Sequence, residues 1–374
     1  MKVQRVKLDN KPYPLYILLD KNLDVIKEVL RYIKYLDNTG KAPNTIKSYC
    51  YRLKLFYDFL AQSDFSLNDI SYEELANFIG WLRNPTGYFN VQSIAPVESK
   101  RKESSINSIL NATINYLEFL ARTGDFKSLD IFKMERGQTF KSFLHHINKG
   151  KLRKRNTLKL KEKKKLIEVL EKNEVEEIVN ACISYRDKFL LLLLYEGGLR
   201  IGEALSLRLE DVITWDNEVK ITPRVNSLND SYVKGKNERI VQVTKELMGL
   251  YTQYLVHEYL DNLNHDYIFI NLSGPNKGHP LKYHSVADLV KRISKKTGID
   301  FNLHQLRHSH ATDLINSGWD ESYVQKRLGH ANVQTTRQFY VHPSNEYMKK
   351  QYKKYLDMRK DENNGTKETT NNNQ

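Results

Sequence analysis

Residues 187–203 read DKFLLLLLYEGGLRIGE, an apolar stretch closed by two glycines and then punctuated by Arg200 and Glu203. A helix from Asp187 to Glu196 would be apolar on every side, and such a helix belongs at the centre of a folded unit. Its longest apolar run, Phe189 to Leu194, is far shorter than the ~20 residues a membrane helix needs. Gly197 and Gly198 can end the helix because glycine tolerates φ > 0. Arg200 then falls at the start of the next short helix, where free N–H groups and the helix dipole favour an anion. Its planar fork matches two phosphate oxygens. Glu203 lies one turn further on the same face and can orient that guanidinium. The same two residues would also suit a surface ion pair worth under ~1 kcal/mol.

Working outward from this stretch, an acidic helix start stands upstream at Asn173, with Glu174, Glu176 and Glu177. Downstream come short β-like runs, Glu218–Thr222, Ser231–Lys234 and Arg239–Val243. Helical patterns follow over Thr244–Glu258, Tyr283–Lys296, Leu303–Asn316, Glu321–Leu328 and Asn345–Met358. Residues 171–360 therefore read as one α+β domain. The tail, 361–374, is Asn, Thr and Glu without apolar periodicity and is expected to be disordered.

Toward the N-terminus, residues 125–170 are crowded with cations, among them Lys149, Lys151, Arg153, Lys154, Arg155 and Lys159. They suit a solvated linker and equally a segment lying along a phosphate backbone. Residues 41–124 read as a small helical domain. Asn44 and Thr45 start a helix whose stripe is Ile46, Tyr49, Leu53, Phe56 and Leu60. A second helix is expected from Ser71, as cap, to Arg83. A loop covers Asn84–Lys100, and a third helix starts near Ser104 with Ile106, Ile109, Leu110, Leu117 and Leu120 on one face. The first forty residues, basic and broken by Pro12, Pro14 and Gly40, read as an N-terminal extension. The chain is thus expected to be mainly α with a small antiparallel sheet.

At 374 residues the chain is long enough for two domains. Its formal net charge of +14 favours nucleic acid or an anionic membrane surface as partner. The N-terminus lacks the apolar stretch of a signal peptide, so a soluble, cytoplasmic protein with an acidic partner, nucleic acid, is expected. Cys50 and Cys182 sit far apart in apolar-periodic stretches, which suits two reduced, buried thiols and offers no zinc site.

Three further clusters carry chemistry. Val233–Arg239, VKGKNER, reads as a tight hairpin turn. A lysine at its tip is either a solvated charge or, with its pKa lowered by nearby cations, a general acid. His304–Thr312, HQLRHSHAT, places His304, Arg307 and His308 on one helix face, an arrangement suited to phosphoryl transfer. A metal on His304, His308 and His310 would lack a carboxylate or thiolate to complete it. In Leu328–His342, Gly329 ends a helix, His330 stands on the next turn and Tyr340 follows.

In order, Arg200, Lys234, the H-x-L-R-H motif at His304–His308, the L-G-H motif at His330 and Tyr340 resemble the signature of the tyrosine recombinases, the phage integrase family. GGLRIGEAL, HQLRHSHAT and LGHANVQTT are close to that family's wording, and APNTIKSYCYRLKLFYDFL resembles the start of its helical, SAM-like core-binding domain. The resemblance covers roughly residues 40–358. Within the family, the long N-terminal stretch and the Pro85–Lys100 insertion are similar to transposon-encoded members of the transposase A type. Two departures stand out. The Asp211–Lys234 stretch is longer than usual, which leaves Lys236 as an alternative to Lys234, and His310 stands where an apolar aromatic is common.

The resemblance implies a catalytic set of Arg200, Lys234, His304, Arg307, His330 and Tyr340, with Glu203 in support. Tyr340 would attack a phosphodiester, Arg200, Arg307 and His330 would hold the non-bridging oxygens, His304 would accept the tyrosine proton, and Lys234 would protonate the departing 5′-oxygen. The 3′-phosphotyrosine link keeps the bond energy, so neither ATP nor metal is implied as a cofactor. Candidate DNA-contacting residues are Thr45, Lys47, Arg101 and Lys102 in the helical domain and Arg153, Lys154 and Arg155 in the basic segment. The two domains would clamp duplex DNA, and the Asn345–Met358 helix would dock on a neighbouring protomer of a homotetramer, with accessory recombination proteins as further partners. Three other readings compete: a type IB topoisomerase with nearly the same catalytic set, a non-catalytic DNA-binding regulator, which would have no use for Tyr340, and a metal-dependent nuclease, which would want paired carboxylates.

Overall fold

The computed structural model describes residues 1–8, 11, 13–63, 65–85, 99–127, 129, 132–136, 152–162, 168–224, 228–229, 231, 238–329 and 353, with the side chains of 132–136 and 152–155 left aside. The chain divides into two compact units, Met1–Lys164 and Lys165–Gln374.

In the first unit a hairpin, β1 (Lys2–Val6) and β2 (Leu15–Leu19), is paired antiparallel and followed by α1 (Lys27–Asn38). Then come α2 (Pro43–Ser63), α3 (Tyr72–Arg83), α4 (Glu103–Arg122) and a second antiparallel pair, β3 (Phe132–Arg136) with β4 (Leu152–Asn156). The stripe expected on α2 is the core: Ile46, Leu53 and Phe56 are buried, with Cys50 among them. Ser71 caps α3 as expected, its Oγ accepting from the Glu73 N–H at 3.1 Å. The ends of the expected 84–100 loop are tied by a backbone hydrogen bond from Lys100 N–H to Arg83 O at 2.8 Å.

Two stretches of this unit are more ordered than their composition suggests. The first forty residues are folded onto the helices: Leu18, Val29, Tyr32, Ile33 and Leu36 are buried in the same core as α2 and α4. The physical reason is local. Val29, Tyr32, Ile33 and Leu36 recur at helical spacing, and Asp37 at the end of α1 receives hydrogen bonds from Lys11 and Tyr13. The segment expected as a linker contains β3 and β4, and Asn107 of α4 binds it further on, donating to Leu160 O and accepting from Leu160 N–H, both at 2.9 Å.

The second unit holds α5 (Lys172–Asn180), α6 (Tyr185–Glu196), α7 (Ile201–Ala204), β5 (Val212–Ile213), β6 (Glu218–Ile221), β7 (Arg239–Gln242), α8 (Lys245–His257), α9 (Tyr283–Thr297), α10 (Leu303–Asn316) and α11 (Glu321–Leu328). As its composition requires, α6 is central: Phe189, Leu190, Leu191, Leu193 and Leu194 are all fully buried. Its start is set by Ser184, whose Oγ accepts from Asp187 N–H at 3.1 Å. The antiparallel sheet has the order β5-β6-β7, with Ile221 opposite Arg239. The described partner of β7 is therefore β6; the expected 231–234 run, apart from Ser231, lies outside the described residues. Ser231 and Asn229 instead form a buried turn in which Asn229 donates to Leu205 O at 2.7 Å.

Cys50 and Cys182 are free and buried, and burial pushes both thiols up to about 12. Among the described residues, no helix is long and apolar enough to cross a membrane.

Candidate active site

The end of α6 builds the first half of the site. Gly197 caps the helix with an ordinary φ of −84°, and only Gly198 takes the left-handed conformation, at +60°. A Cβ on Gly198 would stand 2.6 Å from the His310 ring and 2.7 Å from Leu328. No side chain fits there, and the turn that follows places Arg200 at the N-cap of α7.

Glu203, fully buried, is the hub. Its Oε2 accepts from the Arg200 backbone N–H at 2.9 Å and its Oε1 from Arg200 Nη1 at 2.8 Å. Arg239, at the start of β7, adds Nη2 to Oε2 at 2.7 Å and Nη1 to Oε1 at 3.2 Å. Arg307 Nη1 stands 3.8 Å from Oε2. Burial alone would raise the Glu203 pKa. The hydrogen bonds and charges of Arg239 and Arg200 outweigh it and hold the carboxyl below its ordinary range.

The second half comes from α10 and the end of α11. Arg307 is 1% exposed and donates Nη1 to Gly198 O at 2.6 Å and Nη2 to Leu328 O at 2.7 Å. Arg200 reaches Gly329 O at 3.2 Å, and Arg239 Nε reaches Arg327 O at 2.9 Å. Three arginines thus cap three successive carbonyls at the C-terminus of α11, where unsatisfied carbonyls and the negative end of the dipole favour cations. Gly329 closes this turn at φ +63°. Burial and the Arg200 charge pull the Arg307 guanidinium down to about 9, against the push of Glu203, so it remains cationic at neutral pH.

His304 is exposed in the first turn of α10, and its ring meets that of His308 edge-on at 4.2 Å. Burial, with His304 and Arg307 nearby, lowers His308 to about 4. His310 packs against Gly198. It accepts a hydrogen bond from Arg327 Nε at 3.0 Å, and burial lowers it to about 3, so it packs as a neutral ring. Among the described residues, no group of three His, Cys, Asp or Glu side chains could hold a metal ion.

Of the expected catalytic set, the structure brings Arg200, Arg307 and the supporting Glu203 together and places His304 on the same helix as Arg307. Lys234, Lys236, His330 and Tyr340 lie outside the described residues, as does the Asn345–Met358 helix except for Lys353. The expected DNA contacts divide. Lys47 and Lys102 are exposed and Thr45 is half-buried in the first turn of α2. Arg101 spends one donor inside the unit, Nη1 to Leu82 O at 2.7 Å. Arg153, Lys154 and Arg155 lie on β4, paired to β3 in backbone.

The sequence reading missed Arg239 and Arg327. Arg239 had a signal, since strand alternation puts it on the face of Val241, which is fully buried. A cation on the core side of a strand implies a buried partner.

The site gathers three guanidinium groups around one buried carboxylate, and comparison with known proteins places the chain in a family. The phage integrase family matches residues 168–347, and its N-terminal SAM-like domain matches residues 29–124. Over 357 residues the chain is 56% identical to transposase A of transposon Tn554 from Staphylococcus aureus, covering 96% of this chain and 98% of that protein. It is 28% identical to tyrosine recombinase XerA of Pyrococcus horikoshii, over 84% of this chain and 88% of the other. The chain belongs to the phage integrase family, the tyrosine recombinases. In fold it is similar to the Tn1549 transposon integrase solved with transposon right end DNA, with a TM-score of 0.60 at 14% identity over 88% of this chain and 99% of that one.

Proposed function

We propose that the chain is a transposon-type, site-specific DNA recombinase that cuts and rejoins duplex DNA through a 3′-phosphotyrosine formed by Tyr340. The observation that carries this reading is the buried cluster of Glu203 with Arg200, Arg239 and Arg307. A protein that merely binds DNA has no use for buried, converging guanidinium groups, because phosphate contacts at a binding surface are made by exposed cations.

The reaction is a transesterification. The Tyr340 oxygen forms a bond to phosphorus, and the bond from phosphorus to the 5′-oxygen breaks. A tyrosine hydroxyl, with a pKa near ~10, needs help at neutral pH. His304 takes its proton, and Lys234, or Lys236 beside it, delivers a proton to the leaving 5′-oxygen. Arg200, Arg307 and His330 stabilise the charge that grows on the non-bridging oxygens. A 5′-hydroxyl from another strand then reverses the step, and the energy of the original ester is conserved in the link. Four copies acting on two duplexes would allow strand exchange, with the Asn345–Met358 segment joining them. Removing everything after residue 344 should impair assembly more than single-site binding.

The test is incubation with a library of nicked duplexes and recovery of covalent protein–DNA adducts. The wild-type chain should yield adducts cleaved to a tyrosyl peptide containing Tyr340, and Tyr340→Phe none. Adducts that persist in Tyr340→Phe refute the reading. Supercoil relaxation without any exchange between duplexes would reassign the chain as a topoisomerase.

A further inference from the structure

Arg239 is an anchored cation of the second unit that the mechanism above leaves without a task. It opens β7, opposite Ile221, and its side chain is 13% exposed. Its guanidinium makes a two-pronged contact with Glu203 and a third bond, from Nε, to Arg327 O at 2.9 Å. Gly329 lies flat against it: a Cβ there would stand 2.8 Å from Nη1 and 3.1 Å from Cζ. Each oxygen of Glu203 therefore takes one donor from Arg200 and one from Arg239.

We infer that Arg239 is a positioning residue for strand cleavage: it fixes the Glu203 carboxylate, and through it the Arg200 guanidinium, and it holds the turn at Gly329 from which the chain continues into His330. This rests on the reading of Arg200 as a phosphate clamp. Without Arg239 the carboxylate loses half its donors and turns toward its remaining cations, drawing Arg200 away from the substrate side. Lysine cannot replace it, because one ammonium cannot span two carboxylate oxygens and a carbonyl held in a fixed plane. A misplacement of ~1 Å at such a site costs rate by up to about 100-fold.

The experiment uses the full chain and a nicked duplex on which the wild type forms adduct. Single-turnover adduct formation at saturating protein, DNA affinity by band shift and thermal melting are measured for Arg239→Lys and Arg239→Gln. Adduct formation should fall about 30- to 100-fold while affinity stays within about threefold, because binding affinity is spread over many exposed phosphate contacts and only the one made by Arg200 is displaced. Because Arg239 acts through Glu203, adding Arg239→Gln to Glu203→Gln should slow cleavage by no more than about threefold beyond Glu203→Gln alone. That double variant removes both ends of the ion pair at once, so it reports even where a single variant leaves one buried charge unmatched and fails to fold.

Unchanged cleavage by Arg239→Lys overturns the inference. So does an equal effect of Arg239→Gln in both backgrounds, or a loss confined to affinity, which would make Arg239 a direct phosphate contact. Adduct from the wild type with unaffected Arg239 variants defeats this inference alone. No adduct from the wild type on any duplex defeats the proposed function and this inference together.

Discussion

The two units bury different things. In the first, the polar side chains buried among the described residues are Asn107 and Thr113, neither charged, and the core is otherwise aliphatic and aromatic. In the second, Asp187, Glu203, Asp211 and Arg307 are buried among the described residues, alongside the neutral His310. Buried charge is costly unless fully paired, and a well-packed apolar core of the same volume is often at least as stable. The first unit thus has the economy of a scaffold. The second maintains a fixed electrostatic arrangement that folding stability alone would not select.

The widest separation between the units should come from removing a charge. Arg307→Ala should slow adduct formation about 1,000-fold or more, the scale on which a phosphate-clamping arginine acts. Single-turnover kinetics on the nicked duplex would show it, and a loss under about tenfold would undo the contrast. The converse perturbation is Phe56→Ala in the first core. Fully buried, this ring should contribute about 3–5 kcal/mol to stability by urea unfolding, with the rate per folded molecule at saturating protein nearly unchanged.

A pH series sharpens the comparison further. His308 and His310 have folded pKa values lowered to about 4 and about 3, against ~6.5 for an unfolded histidine. The unfolded chain binds more protons below ~6.5, so the stability of the second unit is fullest above that pH and falls as pH drops toward ~4. Calorimetry from pH 7 to 4.5 should show that fall, and His310→Phe should flatten it. A slope unaltered by His310→Phe would exclude this histidine as its source. The smallest effect expected is in the first unit, where Ser71→Ala should cost about 1 kcal/mol through loss of the α3 cap.

Much of this was legible because the signals are local. The all-apolar Asp187–Glu196 stretch announces α6, and Arg200 and Glu203, one turn apart, announce their own ion pair. The order of the first forty residues was not legible because their overall basic character hid Val29, Tyr32, Ile33 and Leu36, which have helical spacing. Strand pairing was less legible because it is a contact between segments far apart, here Ile221 with Arg239 across a long connection. Arg239 was missed for the same reason. Its partners, Glu203 and the Arg327 carbonyl, are distant in sequence, and only the fold makes one cation answer to both.

The cluster around Glu203 also has an arithmetic consequence. Among the described residues, three guanidinium groups and one carboxylate leave two positive charges in excess at the site. A resting phosphodiester carries one negative charge, and its pentacoordinate form at the moment of exchange carries about two. On the proposed mechanism this cluster carries more positive charge than a resting phosphodiester offsets, and the excess is better matched to the species halfway through the reaction. An enzyme gains rate only from contacts that strengthen on the way to that species, and Glu203 sets this balance by removing one positive charge of the three.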